Sequence, residues 1–132
     1  SAHLVNRLAT YAIPVPAHIQ TYMDAVRSHA AMVQWIAEAK SSGAKSIICL
    51  LNEQHLKLYE AMPSGLLQAY REAGFEVGHV PVVDHQRPPL SDTELKAVEK
   101  HFNELPKPVL IHCSAGVDRT GSAVRHLKSR MA

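Results

Sequence analysis

The chain has two cysteines in 132 residues and no CxxC pair, so it holds neither a disulfide framework nor a thiolate zinc clip. Its nine histidines show no HxxxH or HExxH spacing, and neither a metal nor a cofactor is expected. No apolar run approaches the roughly 18 residues that a membrane span needs, and the N-terminus lacks a signal-peptide pattern. Charge of one sign is not in excess either. Fourteen Lys and Arg against twelve Asp and Glu give a formal net charge of +2, which argues against a polybasic nucleic-acid or membrane binder, although the histidines add positive charge below neutral pH. Internal repeats, low-complexity tracts and linkers are absent. The remaining expectation is a single domain, 1–132, with an ordinary balance of 46% hydrophobic and 20% charged residues and one core.

What is present alternates between strand and helix patterns. The stretch Tyr11 to Val15, punctuated by Pro14 and Pro16, fits an edge strand at best. A long helix is predicted over Tyr22 to Lys40, capped by Thr21 and stopped at Gly43, with Met23, Val26, Ala30, Val33 and Ile36 as its apolar stripe. Ser46 to Leu51 is a continuous apolar run, the mark of a strand buried on both faces. Pro63 and Ser64 open a helix carrying Leu66, Leu67 and Tyr70, closed by Gly74. Phe75 to Pro81 reads as a strand, and Val82 to Leu90 as a loop stiffened by Pro88 and Pro89. Ser91-Asp92-Thr93-Glu94 is a capping box before a helix with Leu95, Val98, Phe102 and Leu105 along one stripe. Pro108 to Ile111 is a last short strand, followed by a helix with Val124, Leu127 and Met131. Such alternation implies an α/β fold, a mainly parallel central sheet flanked by helices, with ligands beyond the carboxyl ends of its strands.

One such end carries a recognisable chemistry. His112 and Cys113 close the last strand, five residues separate Cys113 from Arg119, and Thr120-Gly121 open the helix. A strand, a tight loop and a helix N-terminus make backbone N–H groups converge on one anion site, with the helix dipole adding positive charge. A helix N-terminus and a nearby cation both favour the thiolate of a cysteine. A planar guanidinium grips two phosphate oxygens at once. The segment reads as a nucleophile beside a phosphate cradle. A catalytic thiol needs a reducing compartment, so the cytoplasm is the expected location.

His-Cys-x5-Arg-Thr resembles the signature loop of cysteine-dependent phosphatases, the protein tyrosine and dual-specificity group. The likeness is specific over Cys113 to Gly121, moderate over Val80 to Pro89, and architectural elsewhere. It implies a cysteine-phosphatase-like fold with the phosphate-binding loop between a strand and a helix, and phosphorylated protein or peptide as substrate. Cys113 would be the nucleophile, and the backbone of Ser114, Ala115, Gly116, Val117, Asp118 and Arg119, with the Arg119 side chain, would hold the phosphate. Thr120 would donate its hydroxyl to the sulfur, and His112 would orient the loop from behind. Asp84 lies 29 residues before Cys113, in a run similar to the acid loop of small dual-specificity phosphatases, and is the expected general acid. A loop aspartate also commonly bonds its own backbone. Asp118 is the rival acid. An aspartate just before the arginine is similar to myotubularin-like lipid phosphatases and some bacterial tyrosine/lipid phosphatases, although an outward aspartate at a helix N-terminus is equally ordinary.

Three further features bear on the resemblance. Some members of that group protect an oxidised nucleophile by a disulfide to a second cysteine, a role open to Cys49, whereas a lone cysteine in an Ile-Leu strand is commonly a small core hydrophobe. The Lys-Asn-Arg-Tyr segment by which deep-pocket tyrosine phosphatases grip the phenyl ring is absent, which favours a shallower site open to phosphoserine and phosphothreonine as well. The chain also stops 13 residues after Arg119, which implies a minimal or a truncated version of the domain. The primary expectation is therefore a metal-independent phosphomonoester hydrolase for phosphotyrosine. The alternatives are a phosphoinositide or inositol-phosphate phosphatase, and a phosphate-binding module without catalysis.

Overall fold

Four parallel strands in the order β1-β4-β2-β3 form the sheet of the computed structural model, which describes residues 10–12, 29–57, 64–83, 85–113 and 118–131. In chain order the elements are β1 (Thr10–Ala12), α1 (His29–Ser41), β2 (Ser46–Leu51), α2 (Glu53–Leu56), α3 (Leu66–Glu72), β3 (Glu76–Val82), α4 (Asp92–Glu104), β4 (Val109–His112) and α5 (Asp118–Met131). β2 is buried at all six positions, as its unbroken apolar run requires. Its alternate side chains feed two layers. Ile47, Cys49 and Leu51 pack with Met32, Ile36 and Ala39 of α1 and with Leu66, Ala69 and Tyr70 of α3. Ile48 and Leu50 pack with Val98 and Phe102 of α4 and with Ala123 and Leu127 of α5. Burying side chains of this size stabilises by about 1.5–3 kcal/mol each, so the two layers hold the sheet from both faces.

The topology follows from handedness. The β2-to-β3 crossover through α2 and α3 runs outward along the sheet, and the β3-to-β4 crossover through α4 runs back past β2. Right-handed connections in opposite directions must lie on opposite faces, which is where α3 and α4 sit. β4 is thereby inserted between β1 and β2, with Val109 opposite both Thr10 and Ser46. Cys113 comes directly after it, at the carboxyl edge.

The structure corrects several local expectations. In α1 the buried stripe is Met32, Ile36 and Ala39, and Val33 is 47% exposed. The turn places 32, 36 and 39 on one side, and Val33 falls off that face. The predicted helix residues before His29, including Thr21, and strand residues 13–15 lie outside the described residues. α3 begins at Leu66 behind Gly65, whose φ of 85° suits glycine, and Ser64 bonds Glu72 instead of capping. The short α2 carries no sequence pattern strong enough to predict it. The capping box is formed as expected: Glu94 N–H donates to Ser91 Oγ at 3.2 Å, and Ser91 N–H donates to Glu94 Oε1 at 2.8 Å.

Candidate active site

Three strand ends meet at the carboxyl edge, and each contributes a polar group. From β4 comes Cys113, 3% exposed and packed among the α4 and α5 layer. Thr120, in the first turn of α5, donates its hydroxyl to Cys113 Sγ at 3.0 Å. Helix start and strand end are thus joined directly at the sulfur. Arg119, also 3% exposed, sends Nη1 to the carbonyl of Val82 at 3.0 Å, at the end of β3. Asn52, just past β2, donates to the same carbonyl at 3.5 Å. A buried guanidinium therefore joins α5 to the end of β3, the strand that leads toward Asp84.

Behind the cysteine, His112 points into the α1 and α3 layer. The carbonyl of Cys113 can only accept, so His112 Nδ1 carries the hydrogen and donates to it at 3.1 Å. Nε2 is then the acceptor, and Tyr70 O–H donates to it at 2.9 Å. Trp35 closes the pocket, its ring 5.0 Å from that of His112 and 5.6 Å from that of Tyr70. Burial, with Arg119 and His79 nearby, pushes the His112 pKa down to about 4. His112 is neutral at physiological pH.

Cys49 is fully buried in β2, and burial pushes its thiol up to about 12. Its backbone is paired with His112, and it faces the α1 and α3 layer while Cys113 packs in the other. Cysteines whose Cβ vectors diverge do not bridge without backbone movement. This placement fits the core hydrophobe.

Of the other expected site residues, Asp84, the loop 114–117 and the side chain of Asp118 lie outside the described residues, although the backbone of Asp118 begins α5. The loop that carries Asp84 is described on both sides of that residue. His85 directly after it has a φ of 62°, a left-handed conformation unusual for a residue with a Cβ. Gln86 donates to Pro89 O within the loop at 2.9 Å and ties the loop to α4 by donating to Glu94 Oε1 at 2.7 Å. Arg87 is exposed, as a solvated loop arginine would be. Among the described residues no group of three or more His, Cys, Asp or Glu is placed to hold a metal ion, and no helix is long and apolar enough to cross a membrane.

Sequence reasoning passed over Tyr70, Asn52 and His79. Tyr70 looked like one member of an apolar stripe. Its signal was the hydroxyl, which needs a partner once buried. Asn52 is a polar residue just past a strand end, where ligands bind in parallel sheets, and His79 is a polar residue in the middle of β3.

The model of a protein family described as "Polymorphic toxin system, DSP-PTPase phosphatase" matches residues 21–128, most of the chain. No curated protein matches it.

Proposed function

The chain belongs to the DSP-PTPase phosphatase family of polymorphic toxin systems, and we propose that it hydrolyses phosphotyrosine in proteins through a cysteinyl-phosphate intermediate, with phosphoserine and phosphothreonine as further substrates. The observation that carries this reading is the Thr120 hydroxyl on the Cys113 sulfur, with the buried guanidinium of the adjacent Arg119. In the first step the Cys113 thiolate attacks phosphorus in line. A P–S bond forms as the P–O bond breaks, and Asp84 gives its proton to the leaving oxygen. The backbone N–H groups of residues 114–119 and the Arg119 side chain hold the equatorial oxygens, where charge sits in a loose transition state. In the second step water attacks phosphorus, Asp84 takes its proton, and the P–S bond breaks. Thr120 donates to the departing sulfur and so makes thiolate the better leaving group.

Arg119 suits both ends of this task. Its guanidinium has five N–H donors in one plane, so one can stay on Val82 while others take phosphate oxygens. The loop ahead of Asp84 is then held to the same cation that grips the substrate. A thiolate nucleophile implies a reducing compartment, and the cytoplasm is the proposed place of action. The toxin-system description leads us to read the domain as the enzymatic part of such a system. Expression of the wild type is then expected to slow cell growth, and Cys113→Ser to relieve the slowing.

Initial rates on a phosphotyrosyl peptide, a phosphoseryl peptide and a phosphoinositide test the substrate assignment. The tyrosyl peptide is expected to turn over fastest. A clear preference for the phosphoinositide would instead support the lipid reading that Asp118 suggests. Asp84→Asn is expected to abolish turnover of a poor leaving group, and Asp118→Asn to retain it; the reverse would move the acid to Asp118.

A further inference from the structure

The pairing of β2 with β3 slips just before the acid loop. Ser46 to Cys49 pair in step with Glu76 to His79, but Leu51 pairs with Val82, so β3 fits one extra residue between these points. The two faces of the sheet register the same slip. Leu51 belongs to the α1 and α3 layer, whereas its partner Val82 belongs to the α4 and α5 layer. Pro81 lies inside this bulge and has no N–H to give to the ladder. His79 donates Nε2–H to the Leu51 carbonyl at 2.6 Å at that place. A bulge bends its strand and re-aims the residues beyond it. Beyond this one come Val82, whose carbonyl meets Arg119 and Asn52, and then, two residues on, Asp84.

We propose that His79 is a positioning residue for catalysis: its bond to Leu51 pins the Pro81 bulge, and the pinned bulge aims the acid loop at the leaving group. The proposal rests on Asp84 being the general acid. His79 acts through the strand end and not on the reacting atoms. Its donated hydrogen is present in both the neutral Nε2–H tautomer and the charged imidazole.

Leaving-group dependence distinguishes this role from a merely structural one. A well-aimed acid neutralises the leaving oxygen, so aryl phosphates with acidic and with weakly acidic phenols react at similar rates. Loss of the acid penalises only the weakly acidic phenols. The rate ratio between 6,8-difluoro-4-methylumbelliferyl phosphate and phenyl phosphate is independent of how much enzyme is folded, because active-site concentration cancels. Asp84→Asn sets the full loss. General acid catalysis is worth 10²–10⁴-fold, and His79→Ala is expected to steepen the ratio by about tenfold of that. His79→Gln, whose amide reaches the same carbonyl, is expected to restore the wild-type ratio. Equal loss on both substrates in His79→Ala, or failure of Gln to rescue, overturns the proposal while leaving the Asp84 reading intact. A wild-type ratio in Asp84→Asn overturns the Asp84 reading, and this inference with it. Should His79→Ala not fold, His79→Asn, whose amide is too short to reach, carries the test with the same two outcomes.

Discussion

In the proposed reaction the hydroxyl of Thr120 is the contact on which the chemistry turns, because it meets the sulfur that acts first as nucleophile and then as leaving group. A hydrogen bond to a charged group is worth about 1.5–3 kcal/mol, so Thr120→Val is expected to slow breakdown of the intermediate by roughly ten- to hundredfold. Thr120→Ser should stay near wild type. A pre-steady-state burst that grows in the valine variant checks the assignment to the second step, whereas an unchanged turnover contradicts it. The two cysteines lie in opposite layers. Cys49 is fully buried with its thiol pushed up to about 12, so it stays protonated at neutral pH. Iodoacetamide near neutral pH is expected to label Cys113 well before Cys49, and mild peroxide to leave no bridge between them. Mass spectrometry reads both outcomes, and a Cys49–Cys113 disulfide at low oxidant would contradict the placement of the two thiols in opposite layers.

Among the elements, the site depends on β3, β4 and the helices that press on them. β3 can approach α4 closely only because Gly78 has no side chain: a Cβ there would lie 2.8 Å from the His101 ring. Gly78→Ala is therefore expected to destabilise by about 1–3 kcal/mol, the usual cost of overpacking, as read from denaturant midpoints. A neutral result would mean that α4 moves away freely. α4 is in turn fixed to α5, because His126 Nε2 and Arg130 Nε both donate to Glu99 Oε1, at 2.9 and 3.1 Å. Much of this was legible in the residues. The continuous apolar run of β2, the capping box of α4 and the strand–cysteine–helix order of the last third each obey a local rule. The slip between β2 and β3 was not legible, because register is a property of two strands together and neither sequence alone contains it. Pro81 is the end of the strand expected from the sequence, whereas β3 runs on to Val82, whose carbonyl meets Arg119. The exposed Val33 shows the same limit for α1: several apolar stripes fit its sequence, and contact with the sheet selects 32, 36 and 39.

For the molecule as a whole, the buried imidazole of His112 links the site to stability. Its pKa is about 4 in the folded protein against 6.5 for the ordinary group, so above pH 6.5 both states leave it neutral and it contributes no pH dependence. As pH falls from 6.5 toward 4, the unfolded chain takes a proton that the folded one refuses, and stability declines. The loss approaches roughly 3 kcal/mol by pH 4. Urea midpoints between pH 4 and 7 should fall more steeply for wild type than for His112→Gln, by the worth of about one proton. Equal slopes would mean that His112 is not held neutral. That Thr120 meets Cys113 follows from the strand, loop and helix that the sequence puts in that order. Tyr70, 42 residues from His112 along the chain, could be placed only by the packing of α3 on the sheet. Every step of the proposed reaction passes through a thiolate at Cys113, and hydrolysis of para-nitrophenyl phosphate under reducing conditions with EDTA, for wild type and Cys113→Ser, puts that thiolate to the test. Turnover by the wild type that vanishes in the serine variant is the predicted result. Turnover that survives in the serine variant, that EDTA abolishes, or that the wild type never shows would contradict it.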